Sequence, residues 1–477
     1  MAPETKRRHV LVFPFMAEGH TLPLLDLSKA FSKRGIKVTI ITTPSNAISI
    51  ATHFEAVADY PDVNLITIPF PAIPGLPDGC QNTCHLPSID FLVPFFQATK
   101  HLQPHFRQVL QDLSDSGDLP ICVISDFFLG WTQDSCQAFG VPRLVFNGMG
   151  VLSMAICKLA WTESMKSGPI PDSKTVVFPC LDLPFVLTGA DLPKGLQDPN
   201  PDDPFTQFVA EAGQEEFNCW GVIVNSFLEL EGSYLPSLEP FYNVAKAWCL
   251  GPLFLHHNME FKSQDDHDAI INWLDKQTDP ASVIYISFGT QAEVSEAQLN
   301  EVAYGLELSD VPFLWVVRSA LKWSWPDGLE ERLKAKGKGL IVRNWVDQRR
   351  ILWHKATGGF LSHCGWNSVL ESVSAGVPIL AWPLIAEQSL NAKFVVEGLG
   401  AGIDWQKTTL QSSENNGVTT TVAREAICKG VQDLMWGREG EEARERAQGL
   451  GRLARRAVDQ GGSSCQVMDR LLHQLCA

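Results

Sequence analysis

The sequence is short of positive charge and contains no long apolar run, no paired-cysteine motif and none of the common hydrolase or kinase signatures. Lys and Arg number 38 against 54 Asp and Glu, for a net charge of −16. A surface of that sign repels nucleic-acid backbones and anionic membranes, which excludes nucleic-acid partners. No segment approaches the ~18 consecutive apolar residues that a membrane-spanning helix needs. The 12 cysteines include no Cys-x-x-Cys pair. Their closest grouping, Cys80, Cys84 and His85, reads as reduced thiols in a cytoplasmic protein. Gly-x-Ser-x-Gly and His-Glu-x-x-His are absent, and Gly337-Lys338 is followed by Gly339, not by the Ser or Thr of a Walker loop. There is no fixed-period repeat. Lys6, Arg7 and Arg8 ahead of Val10 to Ala17 imitate a signal peptide. Pro14 and the Glu18-Gly19-His20 that follows, with no small-x-small cleavage pattern, make a buried first strand the better reading.

What is present is an α/β pattern on a large scale. The chain has 477 residues, 45% hydrophobic and 19% charged, enough for two domains with sizeable cores. Short apolar runs alternate with amphipathic stretches, as in βαβ units with parallel sheets. Strands are predicted at His9 to Phe15, Lys37 to Thr42, Asn64 to Phe70, Ile121 to Ser125, Arg143 to Asn147 and Gly221 to Asn225. A second series runs at Val283 to Phe288, Phe313 to Val317, Leu340 to Val342, Gly359 to Leu361 and Ile379 to Ala381. The helix after the first strand has Pro23 near its first turn and stops at Gly35. Ser295 with Gln298 predicts a capping box for the helix ending near Leu308. Gly251-Pro252 and the polar stretch His256 to His267 read as a linker. The expected division is 1–250, a linker at 251–270, and 271–477, with the last helix packing back on the first domain. Pro169 to Pro204 reads as a surface excursion over the first sheet, and the mixed charges of Arg438 to Arg456 as a solvated helix face.

Three chemistry-bearing groups lose to plainer readings. His101 and His105 have one-turn spacing, but Pro104 lies between them and no carboxylate completes a metal set. Asp266-His267-Asp268 resembles a motif that holds a divalent ion and a nucleotide sugar, yet it sits in the polar linker with no strand before it. Gly148-Met149-Gly150 supplies half of a dinucleotide fingerprint; Ser153 stands where the third glycine belongs, and no acidic residue closes a later strand. The strongest signal is Trp345 to Gln388. There a strand carrying Leu361 to His363 meets Gly365-Trp366-Asn367-Ser368, which opens a helix and aims backbone N–H groups and the positive helix end outward. A pyrophosphate suits that end, with His363 and Ser368 as donors, Glu371 as acceptor for sugar hydroxyls and Trp345 as a face for a base. The same residues also fit a glycine-tightened turn around a buried Trp.

Trp345-Val346-Asp347-Gln348, His354, Gly359 to Ser368, Glu371, Gly376-Val377-Pro378, Trp382-Pro383 and Glu387-Gln388 resemble the 44-residue signature box of plant UDP-dependent glycosyltransferases. Positions 345 to 388 span 44 residues without insertion. The resemblance extends through Gly19-His20, Ser125-Asp126, Val224 to Phe227, Gly251-Pro252-Leu253, Trp273-Leu274-Asp275 and Ser287 to Thr290. It implies a GT-B architecture, two Rossmann-like domains with parallel sheets facing across a cleft, the acceptor held mainly by the first and the sugar nucleotide by the second. It implies uracil stacked on Trp345 with the Val346 backbone at its edge, and ribose on Gln348 and Glu371. His363, Asn367, Ser368 and Thr290 would hold the pyrophosphate, and Trp366, Glu387 and Gln388 the sugar. Trp366 and Gln388 at their positions favour UDP-glucose.

By the same resemblance His20 is the general base and Asp126 its partner. Read alone, His20 is more readily an ordinary loop histidine, near a helix end that disfavours imidazolium, and Asp126 an N-cap. Two departures from the family stand out: Asp347 replaces a usual Pro, and Asn147 stands where Thr or His is common near the sugar and acceptor. The expected activity is inverting, metal-independent glucosyl transfer in secondary metabolism, with UDP-glucose as co-substrate and no cofactor, carried out by a cytoplasmic monomer. The acceptor is a small apolar molecule, phenolic or terpenoid, joined through a hydroxyl or a carbon. Its walls are expected at Pro71 to His85, His85 to Val93 and Phe178 to Leu196. The competing readings are a sugar-nucleotide-binding protein without turnover and an NAD-dependent oxidoreductase using Gly148 and Gly150.

Overall fold

The computed structural model describes residues 8–54, 60–257, 265–317, 323–324, 326, 328–344, 346–404 and 421–476, with the backbone alone at 265–268 and 334. The chain forms two compact units. One comprises 1–171, 194–259 and 456–477, the other 172–193 and 260–455.

The first unit is built on strands β1 (His9–Phe13), β2 (Lys37–Thr42), β3 (Val63–Thr67), β4 (Cys122–Asp126) and β5 (Arg143–Phe146). A two-stranded antiparallel hairpin, β6 (Thr175–Val176) and β7 (Leu187–Thr188), intervenes in the chain. Strands β8 (Gly221–Val224) and β9 (Lys246–Cys249) complete the sheet. Its order is β3-β2-β1-β4-β5-β8-β9, with every pair parallel. Along β1, Val10 and Val12 enter one core cluster with Ile40 and Ile124, while Leu11 and Phe13 enter another with Ile41 and Val123. That is why the strand reads as an unbroken apolar run: successive side chains point to opposite faces, and both faces are covered.

The second unit carries β10 (Val283–Ser287), β11 (Phe313–Val316), β12 (Gly339–Val342), β13 (Thr357–Ser362), β14 (Ile379–Ala381) and β15 (Gly402–Asp404). Their order is β12-β11-β10-β13-β14-β15, again all parallel. In both sheets the strand order reverses direction beside the first strand, the place where loops at the carboxyl ends separate and ligands bind.

Several expectations change. β9 and β15 went unread because each is only three or four residues long, too short for a periodicity to register. The helix after β1 spans Glu18–Ser32, so His20 lies in its first turn, not in a loop before it, and Pro23 lies inside it. Ser295 caps the helix Glu296–Ser309 by accepting from Gln298 N–H. Only that half of the box forms, because the Gln298 side chain pairs instead with both backbone groups of Val422. The excursion read over the first sheet belongs in large part to the second unit, where Asp191 pairs with Lys393 at 2.7 Å. Asp266-His267-Asp268 opens a helix, Asp265–Asp275. His101 caps the helix Leu92–Lys100, whereas His105 lies in the next, Gln103–Asp115. The final helix, Ser463–Leu475, places Val467, Met468, Leu471 and Leu472 in the cluster that contains Val10 and Ile40. No helix among the described residues is long and apolar enough to cross a membrane.

Candidate active site

In the first unit β1 and β4 are neighbours, with Phe13 opposite Ser125, so the residues just past their carboxyl ends meet. His20, from the helix that follows β1, places Nδ1 2.6 Å from Asp126 Oδ2 at the end of β4. Asp126 is 0% exposed and His20 22%. The other carboxylate oxygen accepts the Phe128 N–H at 2.9 Å and caps the turn Phe127–Leu129. Asp126 therefore both caps its turn and contacts His20, one with each oxygen. A carboxylate only accepts, so Nδ1 carries the proton and Nε2 is the basic nitrogen. Phe15 and Phe128 lie against the imidazole, at centroid distances of 5.7 and 5.4 Å. Gly148, at φ +81°, closes another side, where an added Cβ would lie 3.3 Å from His20 Cε1.

The donor-type residues of the second unit converge at the carboxyl ends of β10 and β13. The helix Trp366–Ala375 starts at Gly365 and makes its first internal bond from Val369 N–H to the Gly365 carbonyl, so the amides of residues 366–368 precede that bond at the helix N-terminus. His363 precedes it. Its Nε2 sits between two glycines, and a Cβ at Gly289 or Gly365 would come within 2.8 or 2.6 Å of that nitrogen. Nδ1 is buried without a hydrogen-bond partner. Burial pushes the His363 pKa down to about 4, so at neutral pH the ring is an uncharged donor. Exposed Thr290 follows Gly289, whose φ of +76° turns the loop.

The Gln348 amide nitrogen donates to Ser368 Oγ at 2.9 Å and to Glu371 Oε2 at 2.8 Å, and its oxygen accepts from Tyr285 at 3.2 Å. Arg349 Nε reaches the other Glu371 oxygen at 2.8 Å. Glu371 is 7% exposed. Burial raises its pKa, opposed by Arg349 and Gln348. Gln388 Oε1 accepts the N–H groups of Leu384 and Ile385, each at 3.0 Å, which turns its amide nitrogen away from that loop. Glu387 accepts from Asn391, which also donates to the Cys364 carbonyl. Trp366 is 2% exposed, so what it offers at the helix end is its backbone amide, not its ring. Val346 is buried; Trp345 lies outside the described residues.

Residues 254–432 match the family described as UDP-glucoronosyl and UDP-glucosyl transferase. The chain is 37% identical to UDP-glycosyltransferase 90A1 of Arabidopsis thaliana, over 100% of its own length and 98% of that protein's. It is also 37% identical to the anthocyanin 3'-O-beta-glucosyltransferase of Gentiana triflora, with 98% of each chain covered. The chain belongs to the UDP-glycosyltransferase family. Among solved structures it resembles Glycyrrhiza uralensis UGT73P12 complexed with glycyrrhetinic acid 3-O-monoglucuronide, at a TM-score of 0.84 and 29% identity over 98% of this chain and 96% of that one. It also resembles Phytolacca americana UGT2 complexed with UDP-2fluoro-glucose and pterostilbene, at 0.78 and 25% over 98% and 100%. The fold is GT-B, and the enzyme is a glycosyltransferase.

Membership removes the oxidoreductase reading, and the geometry gives an independent reason. Gly148-Met149-Gly150 opens the helix Val151–Ser167, whose first amides, Val151 and Leu152, are accepted by the buried Glu231 carboxylate at 3.1 and 2.9 Å. Burial pushes the Glu231 pKa up to about 7. An internal carboxylate therefore occupies the place a dinucleotide pyrophosphate needs. Asp347, the departure from the family's Pro, caps the short helix Gln348–Leu352 by accepting the Arg350 N–H at 3.3 Å. Sequence reasoning missed Arg349 and Arg143. Arg143 is buried on β5, donating to Ser125 Oγ at 2.7 Å and to the Asp126 carbonyl at 3.2 Å. Its signal was an arginine inside an apolar strand, and that of Arg349 an Arg pair beside Gln348 in an acidic chain.

Proposed function

We propose that the enzyme is an inverting, metal-independent glucosyltransferase that moves glucose from UDP-glucose to a hydroxyl of a small apolar acceptor. The observation that carries the reading is the 2.6 Å bond from His20 Nδ1 to a fully buried Asp126. With Nδ1 held as a donor, Nε2 takes the acceptor proton as the oxygen attacks the anomeric carbon, and Asp126 stabilises the imidazolium that forms. The glucosyl–phosphate bond breaks as the new bond forms from the opposite face, so an α-linked donor gives a β-glucoside. Charge growing on departing UDP is met by the amides of residues 366–368, by His363 and by Thr290. Gln348 and Glu371 take the ribose hydroxyls, Val346 and Trp345 the base, and Glu387, Gln388 and the Trp366 amide the sugar.

Relatives named for glucosyl transfer to anthocyanin, flavonoid and scopoletin support glucose as the sugar and an aromatic acceptor. The enzyme then acts in secondary metabolism. Purified enzyme with UDP-glucose and a panel of phenolic and terpenoid acceptors should yield glucosides by mass spectrometry, with the β configuration read from the anomeric proton coupling. An α-glucoside, or His20→Ala turning over within about threefold of the parent when a deleted general base costs about 100-fold or more, overturns this mechanism.

A further inference from the structure

One buried charge in the first unit has no part in the steps above. Glu216, in the helix Pro204–Phe217, is 0% exposed. A carboxylate in that position costs several kcal/mol unless it is paired. Its Oε2 meets Lys158 Nζ at 2.5 Å, and its Oε1 accepts from Asn147 Nδ2 at 3.0 Å. Lys158 itself lies over the Tyr242 ring, 5.0 Å from the centroid. A carboxylate bonded to an ammonium group is ionised and only accepts, so the Asn147 amide has one permitted orientation, nitrogen toward Glu216 and oxygen away. That oxygen has no partner among the described residues, and it is not among the atoms sealed from solvent.

The position of Asn147 gives the orientation a use. It follows Phe146, which pairs with Asp126 across β4 and β5. The next residue, Gly148, packs on the edge of the His20 ring. We infer that Glu216, backed by Lys158, is a positioning residue that locks the Asn147 amide so that its oxygen accepts a substrate hydroxyl beside His20. The hydroxyl belongs to the acceptor or to the transferred sugar. The inference rests on His20 as the base.

The test is a double-mutant cycle on the transfer reaction. Glu216→Gln presents either an oxygen or a nitrogen to Asn147 and so releases the lock; kcat/KM falls roughly tenfold. In an Asn147→Ala background the same change costs less than about twofold. A rise in KM for the acceptor assigns the hydroxyl to the acceptor, and a rise in KM for UDP-glucose assigns it to the sugar. Lys158→Met reads the same coupling at a residue that is partly exposed, should Glu216→Gln not fold. Equal losses from Glu216→Gln in both backgrounds, or full kcat/KM in a folded Glu216→Gln enzyme, overturn the inference. Absence of transfer by the parent enzyme overturns the functional reading instead.

Discussion

In the first unit a single 2.6 Å bond joins His20 to Asp126, whereas in the second Gln348, Ser368, Glu371 and Arg349 share one connected set of hydrogen bonds. The first arrangement is fixed: one oxygen of Asp126 caps its own turn and the other holds the imidazole. The second is provisional. A ribose that takes Glu371 competes with Gln348 and Arg349 for the same oxygens. Rigid placement suits a group whose work is a proton transfer, which geometry governs steeply; exchangeable bonds suit reversible binding of a polar ligand.

Substitutions at His20 should break this contrast most visibly. His20→Ala is expected to lower kcat by about 10²- to 10⁴-fold while UDP affinity by calorimetry stays within about twofold. Asp126→Asn should approach that loss, because an amide no longer fixes the tautomer. An equal fall in UDP affinity would mean that the units do not divide the work. Next in size, Glu371→Ala should raise KM for the UDP-sugar roughly tenfold or more, the value of a charge-assisted hydrogen bond, with kcat within about threefold.

A smaller, paired test uses glycine. Gly148→Ala and Gly289→Ala both place a Cβ at positive φ, against His20 Cε1 at 3.3 Å and His363 Nε2 at 2.8 Å respectively. The backbone strain is alike, ~1–2 kcal/mol, with the tighter contact at Gly289. The first should therefore fall on kcat and the second on the UDP-sugar KM, by about three- to tenfold each. If both fall on the same parameter, the division is wrong.

The smallest effect is protonic. His363 stays neutral to about pH 4 through burial, so between that value and the usual 6.5 the folded protein binds fewer protons than the unfolded chain. Its contribution to stability is whole above 6.5 and is lost as pH falls toward 4. A pyrophosphate beside the ring favours imidazolium, and binding of UDP-glucose, whose phosphates do not titrate in this range, should take up at most about one proton near pH 5.5. Calorimetry in two buffers of different ionisation heat reads the uptake, and His363→Asn should abolish it. Proton release on binding would remove His363 from the pyrophosphate.

The donor half of the site was the more legible, since its residues fall within one 44-residue stretch and share a strand, a turn and a helix. Its hydrogen-bond pattern was not: nothing in the spacing of Gln348 and Glu371 shows that Arg349 holds the far carboxylate oxygen. His20 and Asp126 are 106 positions apart, and read singly each had a plain explanation. Gly148 looked like part of a nucleotide loop and packs against the His20 ring. The short strands β9 and β15 escaped notice because three or four residues are too few to show a period, whatever they bury once paired with a neighbour.

Composition, alternating apolar runs and the box from Trp345 to Gln388 determined an α/β chain of two parallel sheets with a nucleotide-type helix end, because strand and helix periods and glycine turns are local properties. Which residues meet was decided only by the tertiary structure. The pairing of β1 with β4 brings His20 to Asp126, and the helices Val151–Ser167 and Pro204–Phe217 bring Lys158 and Glu216 to Asn147, just past β5. Burial then gives those meetings their force, since a charge or imidazole removed from water must take its hydrogen bonds from whatever the fold has set beside it.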